Sequence, residues 1–154
     1  MKNILKILKE EAFKGMKKGD GGPFSAVVVK DGEIIAKGHN MVIGKNNPVL
    51  HAEIVATMRA SKKLKRFDLS DCEIYSSCEP CPMCFSALHW ARYKKVYFVL
   101  TKVQAEKIGF DDKKIYEILG NKEKPDFEYI QLDDTENVVD VFNEWEEKED
   151  RVDY

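Results

Sequence analysis

No uninterrupted apolar run in this sequence approaches the roughly 20 residues that a helical bilayer crossing needs, which excludes a helical membrane protein. Positive charge is not in excess either: 25 Lys plus Arg stand against 27 Asp plus Glu, a formal charge of −2. A general affinity for phosphate backbones is therefore not expected, and a small neutral or anionic partner suits the chain better than nucleic acid. Residues 1–11 interleave Lys and Glu with Ile and Leu and lack the continuous apolar stretch of a secretory signal, so a cytoplasmic address is expected. There are only four cysteines, and three of them fall in the run Cys78-Glu79-Pro80-Cys81-Pro82-Met83-Cys84. Cysteines clustered in this way, in a reducing compartment, point to metal binding or redox chemistry rather than to structural cross-links. No internal repeat or low-complexity linker divides the chain. Its 154 residues suffice for one core, burying roughly two thirds of the unfolded surface, and residues 1–154 are read as one domain.

Hydrophobic spacing supplies the elements. Ile4, Leu5, Leu8, Ala12, Phe13 and Met16 recur every three or four residues, which predicts an amphipathic helix over 3–18 ended by Gly19, Gly21, Gly22 and Pro23. Residues 24–29 and 33–37 flank Asp31-Gly32, a pair that tolerates positive φ, and so predict a β-hairpin. After a turn-rich loop at 40–47 and Pro48, residues 51–64 predict a second helix with Ile54, Val55 and Met58 as its apolar stripe. A strand at 72–77, a helix at 80–92 and a strand at 95–100 follow. The last of these is almost continuously apolar and is expected to be buried on both faces. Strand–helix–strand connections cross over right-handed between parallel neighbours. The sheet is accordingly read as mixed, a hairpin on one side and parallel strands on the other. Residues 102–119 read as helical with a break at Gly109, 127–132 as a fifth strand, and 135–149 as an acidic helix. The fold class is α/β, a three-layer α/β/α sandwich on a mixed five-stranded sheet.

The chemistry concentrates in two half-motifs. Cys81 and Cys84, three residues apart in the first turn of a helix, point the same way, and the positive end of that helix favours their thiolates. A CxxC pair alone also suits structural zinc or redox chemistry, and a CxxCxxC run an iron–sulfur cluster or a closed three-sulfur zinc site. What separates these alternatives is His51-Ala52-Glu53 opening one helix while Pro80-Cys81-Pro82-Met83-Cys84 opens the next, the H-x-E…P-C-x-x-C signature of zinc-dependent nucleobase deaminases. His51, Cys81 and Cys84 are then the ligands of one Zn²⁺, with a fourth position left to water, and Glu53 is the proton carrier. Cys78 is read as packing or supporting the ligands, Cys72 as a small buried hydrophobe, and His39 and His89 as surface or core histidines.

Further segments carry a resemblance: Gly21-Gly22-Pro23-Phe24, Gly38-His39-Asn40, Pro48-Val49-Leu50-His51-Ala52-Glu53, Ser77 to Cys84, Trp90-Ala91-Arg92, and Gly109-Phe110-Asp111-Asp112 followed by Tyr116. With them the sequence resembles, along nearly its whole length, the cytidine and deoxycytidylate deaminase superfamily and, within it, the guanine deaminase family. The resemblance implies a cytidine deaminase-like fold, one Zn²⁺ per subunit, and hydrolytic deamination of guanine to xanthine and ammonia. It makes Asn40 a hydrogen-bonding partner of the base, Phe24 and Trp90 walls of its pocket, Asp112 a second carboxylate facing the ring, and Tyr154 the residue that closes the site. It also implies a homodimer in which the tail, about 133–154, can be exchanged between subunits. Against these roles, Phe24 and Trp90 also suit a core, Asp111 and Asp112 a helix N-cap pair, and Tyr154 a frayed terminus.

The sequence departs from the guanine deaminase pattern at Ser25, where Gly is more familiar, and at Val49-Leu50, where smaller or polar residues are. The stretches Gly38-His39-Asn40-Met41 and Leu50-His51 are similar to those of fungal-type cytosine deaminases. Cytosine or a guanosine-type nucleoside therefore stands as an alternative substrate, followed by adenosine in tRNA. Outside the enzymes, the alternative is a zinc-stabilised binding module in which Glu53 is only a carboxylate favoured at a helix start.

Overall fold

The computed structural model describes residues 2–120 together with the isolated positions 122 and 149. The first helix, α1, runs from Lys2 to Lys17, and β1 (Ser25–Lys30) and β2 (Glu33–His39) form the hairpin. Asp31 at φ 51° and Gly32 at φ 79° make its turn, as the dipeptide predicts. Then come α2 (Ala52–Leu64), β3 (Glu73–Cys78), α3 (Pro82–Trp90), β4 (Lys95–Leu100), α4 (Lys102–Glu106) and α5 (Lys113–Leu119). Gly109, at φ 94°, lies in the break between the last two helices. The expected fifth strand at 127–132 and the acidic helix from 135 fall outside the described residues.

The described strands form one sheet in the order β2-β1-β3-β4, with β1 antiparallel to β2 and β3, and β3 parallel to β4. This is the mixed sheet that the crossovers require. Alternation along β1 separates the two outer layers: Ala26 and Val28 face a core that includes Ala52, Ala56, Leu88 and Ala91, while Val27 and Val29 face Leu8 with Ile4 and Ile7 of α1. Helices α2 and α3 therefore cover one face and α1 the other.

The structure corrects two expectations about burial. The buried stripe of α2 is Ala52, Val55, Ala56 and Ala60, and Met58 is 57% exposed. The alanines let α2 lie against β2 so closely that a Cβ on Gly38 would stand 2.6 Å from the Ala52 carbonyl oxygen and the Ala56 amide nitrogen. Among the described residues β4 is not buried on both faces: every residue of it is exposed, and it pairs only with β3. Leu5, Phe13 and Met16 of α1, also exposed, share an open apolar hollow of about 320 Å³ with Val99 and Leu100.

This topology brings several chain ends together. Because β2 and β3 both run opposite to β1, and β4 runs with β3, the carboxyl ends of β2, β3 and β4 share one edge of the sheet with the start of β1, where Ser25 pairs with His39 and Cys78 with Leu100. Crevices at the carboxyl ends of strands are where open α/β sheets bind ligands. Since α2 enters that edge over Gly38, Gly38→Ala is expected to destabilise the fold by roughly 1–3 kcal/mol through overpacking against backbone. Denaturant unfolding with an unchanged m-value measures this loss.

Candidate metal centre and base pocket

His51 and Cys81 are the N-cap residues of α2 and α3, both in extended backbone, and neither side chain caps its own helix. Such positions ordinarily carry Ser, Thr, Asp or Asn. An imidazole and a thiol there face out of the helix ends instead, and the two ends meet: Cys81 Sγ lies 3.5 Å from His51 Nδ1. Cys84, one turn into α3 and fully buried, completes the group, the three ligand atoms lying within 4.8 Å of one another. Two sulfurs and one imidazole nitrogen form a soft, three-sided donor set that fits Zn²⁺ with one position free for solvent. Cys78 does not join it. Its side chain is buried and its thiol donates to the Thr101 carbonyl at 3.6 Å, in keeping with a packing role.

The electrostatics of the group are coupled. The Cys84 thiol, hydrogen-bonded to Cys81, holds Cys81 down at about 4, with His51 adding to the effect against burial. The same pairing, with burial and the nearby Glu53, pushes Cys84 upward. The hydrogen bond that the His51 ring donates to the Cys81 sulfur raises His51. At neutral pH Cys81 is thus a thiolate, the form that ligates metal.

Glu53, in the first turn of α2, is 6% exposed. Its Oε1 accepts from Ser76 Oγ at 2.9 Å and its Oε2 from Cys84 Sγ at 3.5 Å. Burial raises its pKa despite both hydrogen bonds. A carboxylate held against the ligand cluster and drawn toward neutrality is suited to take up and release a proton. Ser76 is absent from the sequence reading. Its signal was available, because β3 buries alternate residues, Ile74, Ser76 and Cys78, and a serine on such a face needs a hydrogen-bond partner.

The other expected residues distribute around this centre. Asn40 follows β2, is 5% exposed, and accepts from the Val42 amide through Oδ1 at 3.1 Å. Phe24 precedes β1, packs against the α2-side core, and meets Phe110 edge to face at 4.8 Å. Phe110 is thereby brought to the sheet edge beside a candidate wall residue. Asp112 is the N-cap of α5 without capping it, partly buried, and raised by burial and by the charge of Cys81. Trp90 ends α3, 62% exposed, beside a hollow lined with His89, Arg92 and Tyr93 that contains no member of the metal group. Tyr154 lies outside the described residues.

Comparison with known proteins agrees with this geometry. Residues 1–100 match the family described as the cytidine and deoxycytidylate deaminase zinc-binding region. The chain is 43% identical to guanine deaminase of Bacillus subtilis over 144 residues, 93% of this chain and 92% of that protein. The crystal structure of guanine deaminase from B. subtilis superposes with a TM-score of 0.91 at 40% identity, covering 99% of this chain and 98% of that one. A tRNA-specific adenosine deaminase of Aquifex aeolicus is 43% identical over 95 residues, 62% of each chain. Matched over well more than half its length and carrying the ligand group in place, the chain belongs to the zinc-binding cytidine and deoxycytidylate deaminase family.

Proposed function

We propose that the protein is a zinc-dependent guanine deaminase, converting guanine and water to xanthine and ammonia. The observation that carries this reading is Glu53, buried against the His51–Cys81–Cys84 group and hydrogen-bonded by Ser76. The guanine substrate is supported by similarity to the B. subtilis guanine deaminase along almost the whole chain, where the likeness to the A. aeolicus tRNA-specific enzyme covers 62% of it.

His51 Nδ1 and the sulfurs of Cys81 and Cys84 would hold the ion. Zinc, when bound there, supplies Lewis acidity and a solvent nucleophile available near neutral pH. Glu53 takes the proton released as water oxygen bonds to C2 of guanine and gives it to the adjacent ring nitrogen. The proton left on the oxygen added at C2 is then passed, again through Glu53, to the exocyclic amine; the C2=O bond of xanthine forms as the exocyclic C–N bond breaks, and ammonia leaves. Ser76 keeps the Glu53 carboxylate turned toward the ligand cluster during these transfers. Asp112, in the electrostatic reach of Cys81, is the second carboxylate on the ring side. Asn40, with its Oδ1 engaged by Val42, presents its amide nitrogen as donor to the base. Phe24 and Trp90 are assigned to the walls, and Tyr154 to closing the site. Residues 1–154 act as one domain in a cytoplasmic homodimer. The exposed apolar residues of β4 support a second copy of this chain as partner.

Glu53→Ala is expected to keep stoichiometric zinc while turnover falls by about 10²–10⁴. Elemental analysis alongside an ultraviolet assay of guanine consumption reads both, and wild-type turnover would remove the proton carrier. Cys81→Ser and Cys84→Ser should instead lose the metal, and with it thermal stability, because metal binding is linked to folding. The same loss is expected on dialysis against a strong chelator. An assay over guanine, cytosine, guanosine and tRNA anticodon adenosine tests the substrate, and preference for any but guanine overturns the assignment.

A further inference from the structure

We propose that Asp20 and His39, outside the catalytic set, are positioning residues that hold Asn40 for the base. The proposal rests on the reading of Asn40 as a substrate contact.

His39 closes β2 immediately before Asn40 and is 3% exposed. Its ring is gripped from both sides: Nδ1 meets Glu11 Oε1 of α1 at 2.8 Å, and Nε2 meets Asp20 Oδ2 at 2.9 Å. With a proton on each nitrogen the ring donates to both carboxylates; with one proton, a carboxylate faces a lone pair. Lys14, 3.6 Å from Glu11 Oε2, adds a compensating charge. A buried arrangement of this kind contributes little net stability, because desolvating the charges offsets their attraction. What it supplies is a fixed geometry.

Asp20 transmits that geometry to the loop after β2. Its amide donates to the Gly15 carbonyl at 3.0 Å, and its own carbonyl accepts from the amides of Ile43 and Gly44 at 3.0 and 2.9 Å. One residue thereby ties the end of α1, the His39 ring and the 40–47 loop together. The next residue, Gly21, lies so close to Asn40 that a Cβ would fall 2.0 Å from Asn40 Oδ1. The Asn40 backbone N–H donates to the Phe24 carbonyl at 3.1 Å. Asn40 thus sits between the Asp20–Gly21 segment on one side and its own bond to Val42 on the other. Movement of Asp20 moves the wall against which the Asn40 amide rests.

The test is a double-mutant cycle on the zinc-loaded full chain, using Asp20→Ala, Asn40→Ala and their combination. Asp20→Ala is expected to raise KM for guanine about tenfold, as loss of a hydrogen bond to a charged group would. Its kcat should stay within about twofold of wild type and its zinc content should be unchanged. Asp20→Asn, which keeps an acceptor for Nε2, should restore KM to within about threefold. In the combined variant KM should rise no further than in Asn40→Ala alone, since residues acting as one unit are not additive. Binding of xanthine by calorimetry should follow the same pattern. Additive effects, or a wild-type KM in Asp20→Ala, overturn the positioning role while leaving Asn40 as a contact. A wild-type KM in Asn40→Ala removes the contact itself and the proposal with it. Should Asp20→Ala fail to fold, His39→Gln carries the same cycle, with the same outcomes deciding.

Discussion

The meeting of the Cys81 thiol with the His51 ring depends on two helices starting side by side over one edge of the sheet. The strands determine where each helix starts: β2 ends at His39 and β3 at Cys78, both at the edge where β1 begins. The helices determine how close they come. With no side chain at Gly38 and only a methyl group at Ala52 and Ala56, little separates α2 from β2, so the N-terminus of α2 sits low over the sheet with Glu53 buried. Larger residues at these positions would lift His51 away from Cys81 and open the ligand group. Close packing between small residues is therefore the condition for the chemistry as well as for the core.

The site also concentrates negative charge. Burial raises both Glu53 and Asp112, and the charge of a Cys81 thiolate adds to each shift. Gathering such groups in a desolvated crevice is costly unless a cation joins them. A divalent ion inverts that balance, which is why the donor chemistry and the electrostatics lead to the same conclusion. Ser76 fits this account: a hydroxyl can donate to Glu53 without adding charge.

Much of this was legible in the sequence because it rests on local rules. The 3.6-residue spacing located α1 and α2 to within a residue or two, and Asp31-Gly32 marked the hairpin. His51-Ala52-Glu53 and Pro80 to Cys84 identified the ligand group, since chemistry of that kind needs those residue types at those intervals. What failed depended on neighbours. The apolar run Val96 to Leu100 reads as a strand buried on both faces, yet apolar content does not reveal that β4 is the edge of the described sheet. Met58 shares helical spacing with Ile54 and Val55, but the alanines set the buried face of α2. His39, as a lone histidine, gave no sign that Glu11 and Asp20, 28 and 19 residues away in the chain, would take up its two ring nitrogens.

The two sides of the crevice are held by different means. On the side of β1, β3, α2 and α3, Glu53, Ser76 and Cys84 are buried, and their geometry is secured by core packing. On the other side, β4, α4 and α5 contain no buried residue. There the segment bearing Phe110 and Asp112 is attached through the Phe24–Phe110 ring contact and through Glu79, which accepts from the Lys102 amide at 3.1 Å. Regions with few buried contacts open at lower free energy than the core around them. Glu53, Ser76 and Cys84 thus lie in the better-buried half. The segment bearing Phe110 and Asp112 lies in the half with few buried contacts, so under the proposed function it is this segment, and not the ligand group, that would yield to an entering ring.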